Sequence, residues 1–364
     1  MRPVTEADLA EAIRDARAPL RVLGGGTRPI GSPVVGEPIS TSELTGITLY
    51  DPGALTLVAQ AGTPLAEIEA ALDHENQRLP FEPMDHRPLL GTEGEPTIGG
   101  VVAGNVSGPR RLQAGACRDS LIGVRFVDGA GTVIRNGGRV MKNVTGYDLV
   151  KLLAGSHGTL GVLTEVAFKL LPRPETQATL LYPGTDIATA VRLMSKALGT
   201  PYEVTGAAWA QGITCLRIEG FESSVTYRAR QLEAALAAFG TAHRAEGDPW
   251  PALRDVTALG AVAGDIWRIS VKPSDAPALV ARIEGEVTLD WGGGLIWARV
   301  APGHDLRAAL MPFAGHATLI RADAETRRRL GAFHPEPAPL AALARGLREK
   351  FDPRGILNPG LMGV

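Results

Sequence analysis

The chain has 364 residues, 45% of them hydrophobic and 21% charged. That length predicts about two domains, and the composition excludes a disordered chain. Lys and Arg number 37 against 39 Asp and Glu, so no basic field exists to hold nucleic acid or an anionic membrane surface. The two cysteines, Cys117 and Cys215, exclude a disulfide framework and any four-thiolate zinc or iron–sulfur site supplied by this chain alone. The start of the chain carries no apolar leader, and the uncharged run Pro96–Pro109 is too short to span a bilayer. The expectation is a cytoplasmic protein, or one held at the inner membrane only through partners.

Thr5 with Asp8 three residues on marks a capping box, and Leu9, Ile13 and Ala16 follow at helical spacing. A strand is predicted over Leu20–Leu23 and another over Leu55–Ala59. A helix follows from Thr63 to Leu72, with Pro64 at its first position. Residues 79–108, rich in Pro and Gly, read as one long functional loop. A hairpin spans 121–135 with its turn at Asp128-Gly129, then a short helix ends at Leu153 and a strand covers 161–171. Pro172 and Pro174 mark a boundary. Beyond it the order strand, helix, strand, strand, helix occurs twice, which predicts a duplicated ferredoxin-like unit. A last helix, Leu340–Lys350, leads to Phe351-Asp352-Pro353 and Asn358-Pro359-Gly360.

Gly24-Gly25-Gly26-Thr27 follows the first strand directly. Adjacent glycines let backbone approach a ligand closely, and successive free N–H groups suit phosphate oxygens. The loop is not the G-x-G-x-x-G fingerprint, because Pro29 stands where the third glycine belongs, and no P-loop lysine motif occurs. Further glycine-rich segments follow, at Pro96–Gly108, Gly115–Asp119, Lys142–Leu149 and Gly155–Val162. Four such segments imply one long ligand touched mostly by backbone. A flavin dinucleotide fits, with a pyrophosphate at its middle and a flat ring at one end.

The segments GGGT, TIGG…N-x-S-G, G-A-x-R-D, K-N-x-x-G-Y-D-L and G-S-x-G-T-L-G-V, with the closing F-D-P…L-N-P-G, resemble the FAD-binding family of the PCMH or vanillyl-alcohol oxidase type. Within it the chain is most similar to the FAD-binding E subunits of glycolate dehydrogenase (glycolate oxidase) complexes. Leu289-Asp290-Trp291-Gly292-Gly293…Trp297 and His316–Arg321 support that likeness. The resemblance implies an α+β fold: a PCMH-type FAD-binding domain of two α/β subdomains over 1–173, a ferredoxin-like α+β cap over 174–315, and a C-terminal return over 316–364. It implies noncovalent FAD, since Thr27 stands where some members carry a flavin-linking histidine. Pyrophosphate contacts fall on Gly24, Gly25, Gly26, Thr27 and Arg28, and flavin and ribityl contacts on Thr97, Gly99, Gly100, Asn105, Ser107 and Gly108. Arg118 and Asp119 shape the site, Gly158, Gly161 and Val162 lie by the dinucleotide, and Asn358 closes it.

The implied partners are a catalytic FAD-binding sister subunit and an iron–sulfur subunit, with a small 2-hydroxy acid as substrate of the complex. Catalytic relatives carry H-x-G-D-G-N and a histidine cluster for a metal. Here the seven histidines never fall within five positions of one another, so no local metal motif exists. His316 and Arg321 are the weak catalytic candidates. Five residues apart on one regular strand, they should point to opposite faces, and Arg321 is the preferred anion contact. Asp290, Trp291 and Trp297 either wall the ring or fill a core. Cys117 reads as a buried structural thiol, and Tyr147 and Lys142 as loop-orienting. Two other readings stand beside the leading one: a self-sufficient 2-hydroxy acid dehydrogenase, and a non-enzymatic scaffold with a vestigial flavin site.

Overall fold

The computed structural model describes residues 1–138 and 146–363. The first helix, Glu6–Asp15, starts as its capping box requires: Asp8 N donates to Thr5 Oγ1 at 3.1 Å, and Thr5 N to the Asp8 carboxylate at 3.0 Å. Its buried face, Leu9, Ala10 and Ile13, packs on Leu20, Ile39 and Leu357. Strand Leu20–Leu23 pairs in parallel with Glu37–Ser40, and the C-terminal tail adds beside it where Leu20 meets Leu357. The far end of the sequence thus returns to the base of the first glycine loop.

A five-stranded antiparallel sheet follows, in the order Ile47–Asp51, Thr56–Gln60, Val162–Lys169, Leu121–Val127, Val133–Gly137. Its apolar face packs against helices Leu65–His74, Ile98–Ala103 and Leu149–Leu153. Pro64 is the cap residue of the first of these, one position earlier than expected. Residues 79–108 are not all loop. Arg87–Leu90 and Ile98–Ala103 are helical, the second despite two glycines, because the Thr97 hydroxyl accepts from Gly100 N at 3.3 Å and caps its first turn.

The remaining strands form one eight-stranded sheet, in the order His243–Arg244, Thr176–Pro183, Ile213–Gly220, Val204–Ala210, Glu286–Asp290, Leu295–Val300, Asp265–Val271, Gly315–Arg321. Each half has ferredoxin-like connectivity, and the halves join edge to edge where Trp209 pairs with Leu289. The predicted duplication is present. The segment from 316, expected to open the C-terminal return, is instead the outer strand of the second unit, paired along Asp265–Val271.

Period-two alternation gives this sheet two faces. Trp267, Ile269, Leu289, Ile296 and Leu319 face the helices Ile187–Leu198 and Glu222–Ala235 and their counterparts in the second unit. The other face meets the FAD-type half and joins its core through Ile266, Leu295, Trp297 and Ile320. Under the first unit that contact is ionic. Arg217 donates to both Glu82 oxygens at 2.9 Å, while Glu219 takes Arg78 Nη1 at 2.6 Å and is also bonded by Arg110.

Candidate functional site

The site is assembled where the first strand ends. Gly24–Arg28 leaves that strand and runs beside residues 94–97: a Cβ on Gly25 would overlap the Glu95 carbonyl oxygen, so only glycine allows this approach. Gly26 has φ 75 and open space where a side chain would stand. The backbone N–H groups of Gly25, Gly26, Thr27 and Arg28 donate to no described residue. Thr92 Oγ1 donates to Thr27 O at 2.9 Å and ties the loop to the Pro-rich segment.

Arg28 crosses from this loop to the capped helix, with Nη2 2.9 Å from the place a Cβ on Gly100 would occupy. Its Nη1 is buried and has no partner among the described residues. Burial lowers its pKa to about 10, with Cys117 and Asp85 opposing. His86 is buried, its Nδ1 has no partner among the described residues, and burial followed by the charge of Arg28 lowers it to about 3. His157 is lowered to about 4 by the same two causes in the same order. Both imidazoles are therefore neutral at pH 7. A buried guanidinium with a free donor, two neutral imidazoles and four unspent backbone amides make an anion site without an anionic side chain to fill it.

The other expected positions sort by geometry. Asn105 has φ 45, and its Oδ1 accepts from Arg118 N at 3.0 Å. Ser107 Oγ accepts from Cys117 N at 3.0 Å. Both order the segment that ends at Gly108. Arg118 and Asp119 are half-exposed and 3.8 Å apart, and Asp119 caps its own short helix by accepting from Ala116 N at 2.8 Å. Asn358 binds the two sides of the loop together: Val22 N donates to its Oδ1 at 2.8 Å, and its Nδ2 donates to His157 O at 2.8 Å. Gly158 packs against the same Asn358 and Val22. Gly161 packs on Phe126, and Val162 is core beneath the loop rather than lining it. Lys142 lies outside the described residues, and Tyr147 is exposed. Cys117 is fully buried, and burial pushes its thiol up.

His316 and Arg321 do not point to opposite faces. The partner register slips between Ile266 and Trp267, so Arg321 pairs with Ile266 and His316 with Ser270, on the same side of the sheet. A β-bulge at Ile320 resets the alternation. Arg321 spends four of its donors on backbone carbonyls: Gly264 at 3.2 Å, Leu89 at 2.8 Å, Gly260 at 3.0 Å and Val262 at 2.7 Å. That is a clamp between the two halves, with its charge answered by carbonyl dipoles.

Three groups were not expected from the sequence. Arg268 projects from strand Asp265–Val271 toward the FAD-type half, and burial followed by the charge of Arg111 lowers it to about 10. Arg111 and Arg268 lie 4.5 and 5.1 Å from the centre of the Trp291 ring, whose Nε1 donates to Gly108 O at 3.1 Å. His86 feels both Arg28 and Arg268, so it sits between the glycine cradle and this cap cluster. The signal available for Arg268 was a charge among the apolar residues Ile266, Trp267 and Ile269 of its strand. Among the described residues no group of three or more His, Cys, Asp or Glu is placed to hold a metal, and no helix is long and apolar enough to cross a membrane.

Against known proteins, residues 1–137 match the FAD binding domain family. The chain is 38% identical over 355 residues to glycolate oxidase subunit GlcE of Escherichia coli K12, covering 97% of this chain and 94% of that one. The chain belongs to the GlcE family of FAD-binding proteins. Glycolate oxidase subunit GlcD of Bacillus subtilis 168 is 35% identical over 173 residues, 48% of this chain and 35% of that protein. The fold is shared with p-cresol methylhydroxylase at a TM-score of 0.74 and 13% identity, covering 100% of this chain and 88% of that one. The cradle at Gly24–Arg28 fits the family's cofactor: its free amides and the free Arg28 donor meet what a diphosphate needs.

Proposed function

We propose that this chain is the FAD-binding subunit of a glycolate-oxidising complex, seated beside a sister flavin subunit that does most of the substrate oxidation. The observation that carries the reading is the full-length likeness to GlcE together with an intact cradle. Gly25 to Arg28 would hold the diphosphate through backbone N–H groups and the Arg28 guanidinium. Residues 97–108 would run along the flavin, and Asn358 fixes the loop that faces them. FAD, when bound, supplies an acceptor that takes two electrons from a carbon and releases them singly. The chain's own part is to bind it without covalent attachment and to keep water from the ring, with the cap sheet closing over the cleft. Electrons from a bound flavin would pass to an iron–sulfur partner, since the two cysteines of this chain cannot supply the four thiolates of a cluster.

The test is an anaerobic titration of the purified chain, followed through its visible flavin band. Glycolate should leave the band of the isolated chain oxidised, dithionite should bleach it, and glycolate should bleach it once the sister and iron–sulfur subunits are supplied. Bleaching of the isolated chain by glycolate would make it a self-sufficient dehydrogenase. A chain that retains no flavin would be a scaffold.

A further inference from the structure

The Arg268 cluster is not accounted for by the cofactor cradle. Across the cap sheet, on the face toward the FAD-type half, one row holds Thr288, Trp297, Arg268 and Thr318. The next row, two residues along each strand, holds Asp290, Leu295, Ser270 and His316. Trp291, just after Asp290, brings its ring beside Arg268 and draws in Arg111 from the segment following Gly108. The two guanidiniums thus share one indole, and the charge of Arg111 acts against that of Arg268.

Neither forms an ion pair among the described residues. Among the described residues no carboxylate lies within ion-pairing distance of Arg111 or Arg268, and neither guanidinium donates a hydrogen bond to a described residue. Asp119 acts on Arg111 from beyond ion-pairing distance, and the acid that acts on Arg268 is Asp290. Burial raises it to about 7, and its Oδ1 is spent on Trp291 N at 2.7 Å. Burial and then Arg268 lower His316, leaving a neutral imidazole that can donate and accept. Arg111 and Arg268 are half-buried and His316 is exposed, so the cluster opens to solvent, where two like charges without an ion-pair partner favour an anionic ligand. The rings beside these guanidiniums are Trp291 and, at 6.0 Å from Arg268, Trp297, which suit an anion carrying carbon better than a bare oxyanion.

We propose that Arg268 and Arg111, with His316, bind a small monocarboxylate against Trp291, on the cap side of the flavin cleft. Guanidinium forks match a carboxylate, and the neutral imidazole offers a partner to a hydroxyl or carbonyl on the adjacent carbon. The chain then holds a carboxylate site of its own, in addition to whatever its partner subunit holds. The inference rests on the FAD-binding reading above for the identity of the neighbouring cleft.

The test is calorimetric titration of the flavin-loaded chain with sodium glycolate, with sodium sulfate and ethylene glycol as comparators. The visible flavin band is recorded on the same samples. The expected result is saturable glycolate binding, with no saturable heat from sulfate or ethylene glycol. Arg268→Met and Arg111→Met should each weaken glycolate by about tenfold or more, as loss of a charge-assisted bond does. Both should keep wild-type flavin content, and Arg268→Lys should recover part of the affinity. Absence of saturable heat, wild-type affinity in both Met variants, or sulfate binding as tight as glycolate would overturn the proposal. So would an Arg268→Met variant that changes the flavin band and leaves glycolate affinity untouched. Should Arg268→Met fail to fold, Arg111→Met, on a half-exposed position, decides alone. A sample without a flavin band that still binds glycolate would refute the FAD-binding reading and leave this one standing.

Discussion

Glu219 joins the two halves of the molecule, and Glu219→Gln isolates its charge at nearly constant shape. In the native protein Arg78, Arg110 and Arg217 converge on Glu82 and Glu219. The Glu219, Arg110 and Arg217 side chains are each at most 4% exposed. Burial alone would raise the Glu219 carboxyl, but Arg217, Arg110 and Arg78 outweigh it and hold it below its ordinary value. Removing the charge leaves three guanidiniums, two of them almost fully buried, with one carboxylate. Breaking a buried pair from one side costs about 3–5 kcal/mol, against about 0–1 kcal/mol for an exposed pair. Urea unfolding of the flavin-loaded protein measures the loss, followed by far-UV circular dichroism and by tryptophan fluorescence. Trp250, under Arg217 at 4.5 Å, reports on the junction itself. Adding Arg78→Met to Glu219→Gln removes one unpaired cation and should recover part of the loss. The pH dependence has a definite sign. A carboxyl with a depressed native pKa contributes stability above its unfolded value, here near 4.5, and that contribution disappears as pH falls through the native value. The wild type should therefore lose stability on acidification more steeply than Glu219→Gln. A loss below about 1 kcal/mol at pH 7, or identical acid slopes, would refute the argument, because the network would then behave as an exposed one.

Three other outcomes are expected. Arg28→Met should fold with wild-type circular dichroism and purify with at least about tenfold less flavin, since one charge-assisted bond to the diphosphate is worth that much; retention of full flavin would remove Arg28 from the cradle. Asn358→Ala leaves Val22 N and His157 O without their side-chain partner and should destabilise by about 1–3 kcal/mol in denaturant unfolding, with flavin released earlier than from wild type. Cys117, fully buried with its thiol pKa pushed up, should resist an aromatic disulfide reagent at pH 8 in native protein and react at once in denaturant.

Much of the fold was legible because it rests on local rules. The Thr5 capping box, the hairpin turning near Asp128-Gly129, and the twice-repeated order of elements each declare themselves in a few neighbouring residues. What was illegible depended on pairing. Residues 97–103 carry too much glycine to read as a helix by propensity, and the Thr97 hydroxyl decides the matter through one bond. The segment from 316 looked like the start of a return to the FAD-type half. Only its register against Asp265–Val271 makes it the eighth strand of the cap sheet.

The site divides along the same line. The glycine cradle was visible because close backbone approach leaves a compositional trace that no other constraint produces. Arg268 left a weaker one: a lone charge between Ile266, Trp267 and Ile269. A buried strand tolerates a charge only where something answers it, and strand alternation already set Arg268 apart from Trp267 and Ile269. Arg321 shows why residue type alone misleads. It had the charge expected of an anion contact and a place on the right strand, yet four carbonyls take its donors. Arg268, two strand positions along on the paired neighbour, has the same charge and no such partners. What distinguishes a binding arginine from a structural one is whether the fold has already spent its donors, and that is a property of the neighbours, which no motif records.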